Sequence, residues 1–336
     1  MKWKVIFNIG ALFALGVVIY VARDDISSAL ANLKNVNIAI VLLMIPIQLF
    51  SYHAVAKFYL EYFRALGHNA SYKGLYRICL ELNFVNQAFP SGGISGVSYL
   101  SYRLKHHGIS YAKSTLAQIA RFGLIFVSYQ FLLIFGWLVL FFRGKASDLT
   151  LFITFAIGFG LISITLLGIF IISDKKRINN FTTWLARVVN RILYIFRPRH
   201  PETIRITKVK EVFSELHEDY VKLRNNKEKL YTPIYYAFLA NVAEVATIYV
   251  VYVAFGQWVN VGAVIIAYAL ANLAGAIAIL PGGIGVYESM MAIVMVSAGV
   301  PAGISVSVTI MYRILNMVFF LPVGYVLYAN ALRKNT

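Results

Sequence analysis

Long apolar segments alternate with short basic segments along this chain of 336 residues. An apolar segment of about 20 residues is long enough to cross the hydrocarbon core of a bilayer as a helix. The pattern therefore predicts an all-α membrane protein with about six full spans. The predicted spans are 3–22, 38–56, 122–142, 149–172, 231–255 and 304–332.

Glycine and proline interrupt two further apolar segments, 78–102 and 261–298. The first contains Pro90-Ser91-Gly92-Gly93 and the second contains Pro281-Gly282-Gly283-Ile284-Gly285. A break at membrane depth frees backbone N–H and C=O groups, which must be met by protein or by a water-filled cavity. We therefore predict two re-entrant hairpins, and hairpins paired in this way point to a binding site near the bilayer midplane.

Lysine and arginine are concentrated between the apolar segments, and their distribution predicts the orientation of the chain. The positive-inside rule assigns the basic loops and both termini to the cytoplasm. The first hairpin then enters from the cytoplasm and the second from outside, which predicts an inverted-topology repeat. The predicted domains are a first membrane half, 1–172, a cytoplasmic linker, 173–230, and a second membrane half, 231–336.

The linker is the most basic part of the chain, with 14 lysines and arginines between residues 173 and 230. From Phe181 to Ile195, apolar residues recur at intervals of three and four, interleaved with Arg187 and Arg191. This spacing predicts an amphipathic helix that lies in the headgroup layer of the membrane. A second, more polar helix is predicted over 205–229.

Composition agrees with a multi-pass membrane protein and disfavours several other classes. Hydrophobic residues make up 60% of the chain and charged residues 13%, whereas a soluble domain carries about 25% charged residues. The basic loops account for the net charge of +17, so nucleic acid is not expected as a partner. With a single cysteine, Cys79, no disulfide can form within the chain. We find no nucleotide-hydrolysis motif, catalytic constellation or metal-ligand spacing, so we predict no cofactor and no enzymatic activity.

Polar residues at membrane depth carry the candidate chemistry. A charge at the bilayer centre costs at least about 2.5 kcal/mol, so each such residue requires a partner or a cavity. Several of them are spaced three apart, which places both members of a pair on one helical face. The candidate residues for a groove that binds a lipid headgroup are Glu81, Asn83, Asn86, Arg121, Asn241, Glu244, Asn272, Gly282, Gly283, Gly285, Glu288, Arg313 and Asn316.

Two interpretations of this set stay open. In the structural interpretation, these residues form salt bridges and hydrogen bonds that only hold helices together. In the functional interpretation, backbone N–H groups of the glycines and the guanidinium of Arg121 or Arg313 meet a headgroup phosphate. The acids Glu81, Glu244 and Glu288 would then balance the two arginines while the site is empty.

The chain resembles the membrane domain of the lysylphosphatidylglycerol synthase and flippase-like family. The resemblance covers nearly the whole chain and rests mainly on the motif Pro281-Gly282-Gly283-Ile284-Gly285-Val286-Tyr287-Glu288, together with the segment 83–93, the basic linker and Arg313. It implies a polytopic prokaryotic protein with two re-entrant elements that moves lipids or lipid-linked molecules between leaflets. Full-length synthases of this family carry a soluble aminoacyl-transfer domain after the membrane part. Because the present sequence ends at residue 336, we do not expect lysine transfer from aminoacyl-tRNA.

The sequence therefore predicts a plasma-membrane protein that flips an anionic phospholipid or a polyprenyl-phosphate-linked lipid. One alternative is a membrane subunit that supports a lipid-modifying or glycosyl-transferring enzyme of cell-envelope synthesis without transporting anything itself. A second alternative is an ion-coupled transporter of a water-soluble solute, in which the carboxylates bind protons.

Overall fold

The computed structural model describes residues 36–89, 94–105, 108–143, 148–196, 206–225, 228–277 and 285–334, and every regular element in these ranges is helical. This confirms the predicted all-α fold. The predicted span at 3–22 and the interrupting motifs at 90–93 and 281–284 lie outside the described residues. The helices are α1 (Ile38–Leu42), α2 (Met44–Ala65), α3 (Tyr72–Ala88), α4 (Ile94–Lys105), α5 (Tyr111–Arg143), α6 (Asp148–Ile172), α7 (Lys175–Phe196), α8 (Ile206–Asn225), α9 (Glu228–Ala254), α10 (Val261–Ile277), α11 (Val286–Ser297) and α12 (Ala302–Lys334).

Within the described ranges, four helical segments are long and apolar enough to cross a membrane, and each matches a predicted span. They are Ile38–Ala65, Lys113–Phe142, Glu228–Ala254 and Ala302–Arg333. A fifth candidate is a bent pair formed by the end of α6 and most of α7, between which the chain turns by 112°. The polytopic membrane fold is thus confirmed, while the total of about six spans stays a prediction.

The first arm of each predicted hairpin packs against the long helix of the other half: α3 lies against α12, and α10 lies against α5. The second arms stay in their own halves, with α4 against α5 and α11 against α12. The helices that precede the hairpins, α2 and α9, pack extensively on each other. An inverted repeat predicts this arrangement, in which the first arm of each hairpin packs on the long helix of the other half. The repeat, the re-entrant course and the domain division themselves stay predictions.

Glycines allow close helix contacts between α10 and α5 and between α3 and α12. A Cβ atom on Gly262 of α10 would lie 2.5 Å from the carbonyl oxygen of Gly136 on α5. A Cβ atom on Gly324 of α12 would lie 2.7 Å from the carbonyl oxygen of Leu80 on α3. Both crossings therefore bring backbone against backbone, as is common where small residues line helix interfaces in membranes.

The first hairpin arm is longer than the sequence predicted. Helix α3 begins at Tyr72, six residues before the predicted hairpin segment 78–102. The reason is an N-cap at Ser71, whose hydroxyl accepts a hydrogen bond of 3.1 Å from the backbone N–H of Gly74. The arm therefore has 17 residues.

The linker helices pack on each other and on the ends of the spans. Nδ1 of His217 on α8 lies 2.6 Å from the carbonyl oxygen of Ile172, the last residue of α6. Two residues further along, the side chain of Asp219 is buried, and Nζ of Lys222 lies 4.0 Å from its Oδ1. Burial raises the pKa of the Asp219 carboxyl above its ordinary value of 3.8, although Lys222 and Lys113 oppose the shift. Glu215 and Glu218 on the same helix add to it.

The substitution Asp219→Asn is expected to raise the thermal unfolding midpoint of the purified protein at pH 7. Because the folded-state pKa is raised, the native state loses stability as the pH rises from the ordinary value through the folded value, and the amide removes this loss. The gain should shrink as the pH approaches 4. Exposed Glu211 on the same helix does not contribute to the pKa shift of Asp219, and it provides the matched control, Glu211→Gln, which should leave the midpoint unchanged. A lower midpoint for Asp219→Asn at pH 7 would contradict this account.

Candidate functional site

A cavity of about 490 Å³ lies between the two halves and is lined by residues of α2, α3, α5, α9, α10, α11 and α12. Its volume falls within the range of about 300–1,000 Å³ typical of small-molecule sites. Five tyrosines line it, Tyr52, Tyr129, Tyr268, Tyr287 and Tyr312. The polar and charged side chains in its wall are Gln48, Ser51, Asn83, Asn86, Gln87, Arg121, Asn241, Glu244, Asn272, Arg313 and Asn316.

The structure brings most of the candidate residues together in this one wall. The lining candidates are Asn83, Asn86, Arg121, Asn241, Glu244, Asn272, Arg313 and Asn316. Gly285, Glu81 and Glu288 are not among the lining residues. Gly282 and Gly283 lie outside the described residues. That these residues bind a substrate stays a prediction.

Neutral donors surround the carboxylate of Glu244 on α9. Its Oε1 accepts hydrogen bonds from Nε2 of Gln48 at 2.7 Å and from the hydroxyl of Ser51 at 2.8 Å. Its Oε2 accepts a hydrogen bond of 2.9 Å from the hydroxyl of Tyr312. A carboxylate offers about four acceptor positions, so three are occupied, and the hydrogen bonds join α9 to α2 and α12.

Arg313 on α12 forms an ion pair with Glu288 on α11, and both side chains are about four-fifths buried, with 20% and 18% of their surface exposed. The other carboxylate oxygen of Glu288 accepts a hydrogen bond of 2.7 Å from the backbone N–H of Gly285. Gly285 has φ of +85°, a conformation that favours glycine, and it directly precedes α11. The guanidinium of Arg313 also lies 5.2 Å from the ring centre of Tyr287. Glu288 thus links Gly285, the last residue of the second interrupting motif, to Arg313 in the cavity wall.

Arg121 on α5 lies in the cavity wall, and its guanidinium is 5.8 Å from the ring centre of Tyr59. Among the described residues, no acidic side chain lies within ion-pair distance of Arg121. Arginine stays charged in proteins, and a charge within a membrane span requires a partner or a cavity. The requirement of this guanidinium for an anion is therefore unmet within the described part of the chain.

Glu81 occupies a place different from the one the sequence suggested. It is 2% exposed and forms a two-pronged ion pair with Arg103 on α4, from Nε to Oε2 at 2.7 Å and from Nη2 to Oε1 at 3.2 Å. The hydroxyl of Tyr99 donates a further hydrogen bond of 2.9 Å to Oε2. Glu81 therefore fastens α3 to α4. Of the three acids expected to balance the cavity arginines, only Glu288 forms an ion pair with one of them in the described structure.

The amides in the cavity wall differ in how fully they are bonded. Asn241 is bonded at both its amide atoms, since Nδ2 donates to the hydroxyl of Ser128 and Oδ1 accepts from the hydroxyl of Tyr268. The side chain of Asn83 accepts from Gln87, but its buried Nδ2 has no partner among the described residues. The side-chain amides of Asn86 and Asn316 form no hydrogen bond to any residue that the structure describes. The cavity therefore presents neutral donors and acceptors in addition to Arg121.

The candidate residues did not include three polar residues of the wall, Gln48, Ser51 and Gln87, or its five tyrosines. Gln48 and Ser51 on α2 both bind Glu244. Their spacing of three on an apolar helix is the signal that identified Asn241 with Glu244, so the same criterion would have found them. The tyrosines gave no such signal, because an aromatic residue in a membrane helix can face lipid equally well. Within the described ranges, no cluster of three histidine, cysteine, aspartate or glutamate residues could hold a metal ion.

Comparison with known proteins gives matches over nearly the full chain. A model of the lysylphosphatidylglycerol synthase transmembrane region matches residues 7–324. A UPF0104 membrane protein of Methanothermobacter thermautotrophicus is 25% identical over 324 residues, which cover 94% of this chain and 91% of the relative. A UPF0104 membrane protein of Methanocaldococcus jannaschii is 20% identical over 332 residues, 97% of this chain and 94% of the relative.

Proposed function

The chain belongs to the lysylphosphatidylglycerol synthase transmembrane-region family, and on that premise we propose that it moves an anionic lipid or lipid-linked molecule between the leaflets of a prokaryotic plasma membrane. The family and the apolar helices make it an integral multi-pass membrane protein. The basic loops support an orientation with both termini in the cytoplasm. The lipid is a phospholipid or a polyprenyl-phosphate-linked molecule.

The observation that carries this proposal is the unmet charge of Arg121. The guanidinium lies in the wall of a polar cavity, inside the span candidate Lys113–Phe142, with no acidic partner among the described residues. An anionic headgroup in the cavity would supply that partner through charge-assisted hydrogen bonds. The apolar chains would remain in the surrounding lipid. The headgroup could then cross without exposing its charge to hydrocarbon, which is the main obstacle to spontaneous movement.

The ion pair between Arg313 and Glu288 supports a coupled movement of the second hairpin. A headgroup that reaches Arg313 competes with Glu288, whose carboxylate also binds the backbone N–H of Gly285. Exchange of partners at Arg313 would release the start of α11. The first hairpin has no such connection, because Glu81 is paired with Arg103 and lies outside the cavity wall.

The proposal is tested by a leaflet-scrambling assay on the purified protein in liposomes. Fluorescent phosphatidylglycerol and a fluorescent prenyl-phosphate lipid are offered side by side, and their accessibility in the opposite leaflet is followed over time. We expect at least one of them to move faster than in protein-free liposomes, and Glu288→Gln to slow that movement. The matched control is Glu61→Gln, which removes a carboxylate from the exposed pair with Arg64.

Two outcomes would count against the proposal. If neither lipid moves, the protein is better explained as a binding subunit for a transferase of envelope synthesis. If lipids stay in place but a water-soluble solute is taken up in response to a proton gradient, ion-coupled solute transport replaces lipid translocation.

A further inference from the structure

We infer that the cavity selects a headgroup that combines one phosphate ester with several hydroxyl groups, and that it discriminates against headgroups carrying an ammonium group. This inference rests on the proposed function, since it names the chemical class of headgroup that the same cavity takes. It follows from which charges and hydrogen-bonding groups of the wall already have partners and which do not.

Among the charged groups of the cavity wall, the guanidinium of Arg121 is the group that a ligand would neutralise. Arg121 has no acidic partner among the described residues, whereas Arg313 is paired with Glu288. One guanidinium can bind two phosphate oxygens at once. A phosphodiester with a single negative charge therefore matches the cavity, whereas a diphosphate would bring more negative charge than the guanidinium of Arg121 offers.

The negative side of the cavity has little capacity left for an ammonium group. Glu244 already accepts three hydrogen bonds from Gln48, Ser51 and Tyr312. Glu288 is not a lining residue, and its carboxylate is shared between Arg313 and the backbone N–H of Gly285. A lysyl or ethanolamine headgroup would have to displace these partners, and each displaced hydrogen bond to a charged group weakens its binding.

The remaining polar groups of the wall suit hydroxyls. Nδ2 of Asn83 and the amides of Asn86 and Asn316 have no partner in the described part of the chain. An amide both donates and accepts, as does a hydroxyl, so a polyol or sugar can satisfy these groups without adding charge. The cavity volume of about 490 Å³ also leaves room beyond a phosphate.

Titration of the full-length protein with water-soluble headgroups, in an uncharged detergent, tests the inference. The probes are glycerophosphoinositol, glycerophosphoethanolamine and inorganic phosphate, with heat release as the readout. We expect glycerophosphoinositol to bind about tenfold more tightly than either of the others, since about 1.4 kcal/mol of additional hydrogen bonding gives a factor of ten. The inorganic phosphate titration separates a free-anion site from a headgroup site.

The substitution Asn86→Asp provides the second arm of the test. It places a carboxylate of nearly the same shape in the wall, so it should weaken glycerophosphoinositol binding about tenfold and tighten glycerophosphoethanolamine binding. The matched control is Asn180→Asp, on the exposed side of α7 and away from the cavity, which should change neither affinity.

Equal or tighter binding of glycerophosphoethanolamine to the unmodified protein would overturn the inference. So would phosphate binding as tight as that of glycerophosphoinositol, or no binding of any probe. If the expected preference is found but lipids do not scramble in liposomes, the inference stands and lipid translocation is the part that fails.

Discussion

Replacing Arg121 with glutamine is expected to slow lipid scrambling about 10- to 100-fold without lowering the thermal unfolding midpoint of the protein. A hydrogen bond between a charged guanidinium and a phosphate contributes about 1.5–3 kcal/mol, and each 1.4 kcal/mol corresponds to a factor of ten. Since the guanidinium has no acidic partner among the described residues, its removal leaves no carboxylate unpaired there. The charge itself is costly within a span, so the variant should be at least as stable as the unmodified protein.

Two further variants sharpen this prediction. Arg121→Lys retains the positive charge but loses the planar fork that binds two phosphate oxygens, so an intermediate rate is expected. Arg64→Gln removes an exposed arginine from its pair with Glu61 and should leave scrambling unchanged. Scrambling at the unmodified rate in Arg121→Gln would contradict the account. A joint loss of scrambling and stability would indicate that Arg121 only fastens helices.

The second large effect is expected on the stability of the protein, when the ion pair between Glu81 and Arg103 in the first predicted hairpin is broken. Glu81→Ala leaves the guanidinium of Arg103 without its carboxylate, and that side chain is only 16% exposed. Breaking a buried pair by removing one partner typically costs about 3–5 kcal/mol, because the remaining charge is uncompensated. We expect a loss near the lower end of that range, measured as a decrease in the free energy of unfolding in detergent micelles.

A double variant distinguishes the ion pair from simple loss of packing. Glu81→Leu combined with Arg103→Leu removes both charges, and well-packed apolar replacements of buried pairs are often neutral or stabilising. The double variant should therefore be more stable than Glu81→Ala alone. The exposed pair of Arg64 and Glu61 is the matched control, and breaking it should cost about 0.5 kcal/mol or less. Strictly additive losses in the double variant would contradict the interpretation.

The sequence predicted the composition of the cavity wall better than the pairing of its charges. The face shared by Asn241 and Glu244 could be predicted, because a polar pair on an apolar membrane helix must turn toward protein. The partner of Glu81 could not, because it depends on how α3 and α4 lie against each other. Arg103 follows the predicted hairpin segment 78–102 directly, and α4 brings its guanidinium to Glu81.

In the fold as well, features set by the local sequence could be predicted, and features set by tertiary packing could not. Apolar segment length predicted the matched spans, since membrane thickness sets that length. The start of α3 at Tyr72 depended on the cap at Ser71, a local signal that lay outside the apolar window. The bend of 112° between α6 and α7 follows no proline, but the carboxylate of Asp174 caps the start of α7 by accepting hydrogen bonds of 2.9 Å from the backbone N–H groups of Lys176 and Arg177. The contact of α7 with α8 is tertiary and could not be predicted from the sequence.

A cryo-electron microscopy structure of the protein in lipid nanodiscs that contain phosphatidylglycerol would show whether a headgroup enters the cavity. We expect headgroup density inside the cavity, with phosphate oxygens within hydrogen-bond distance of the guanidinium of Arg121. We also expect this density to disappear in the Arg121→Gln variant. An empty cavity, with ordered lipid only on the outer surface of the helices, would contradict the assignment of Arg121 as the anion-binding residue.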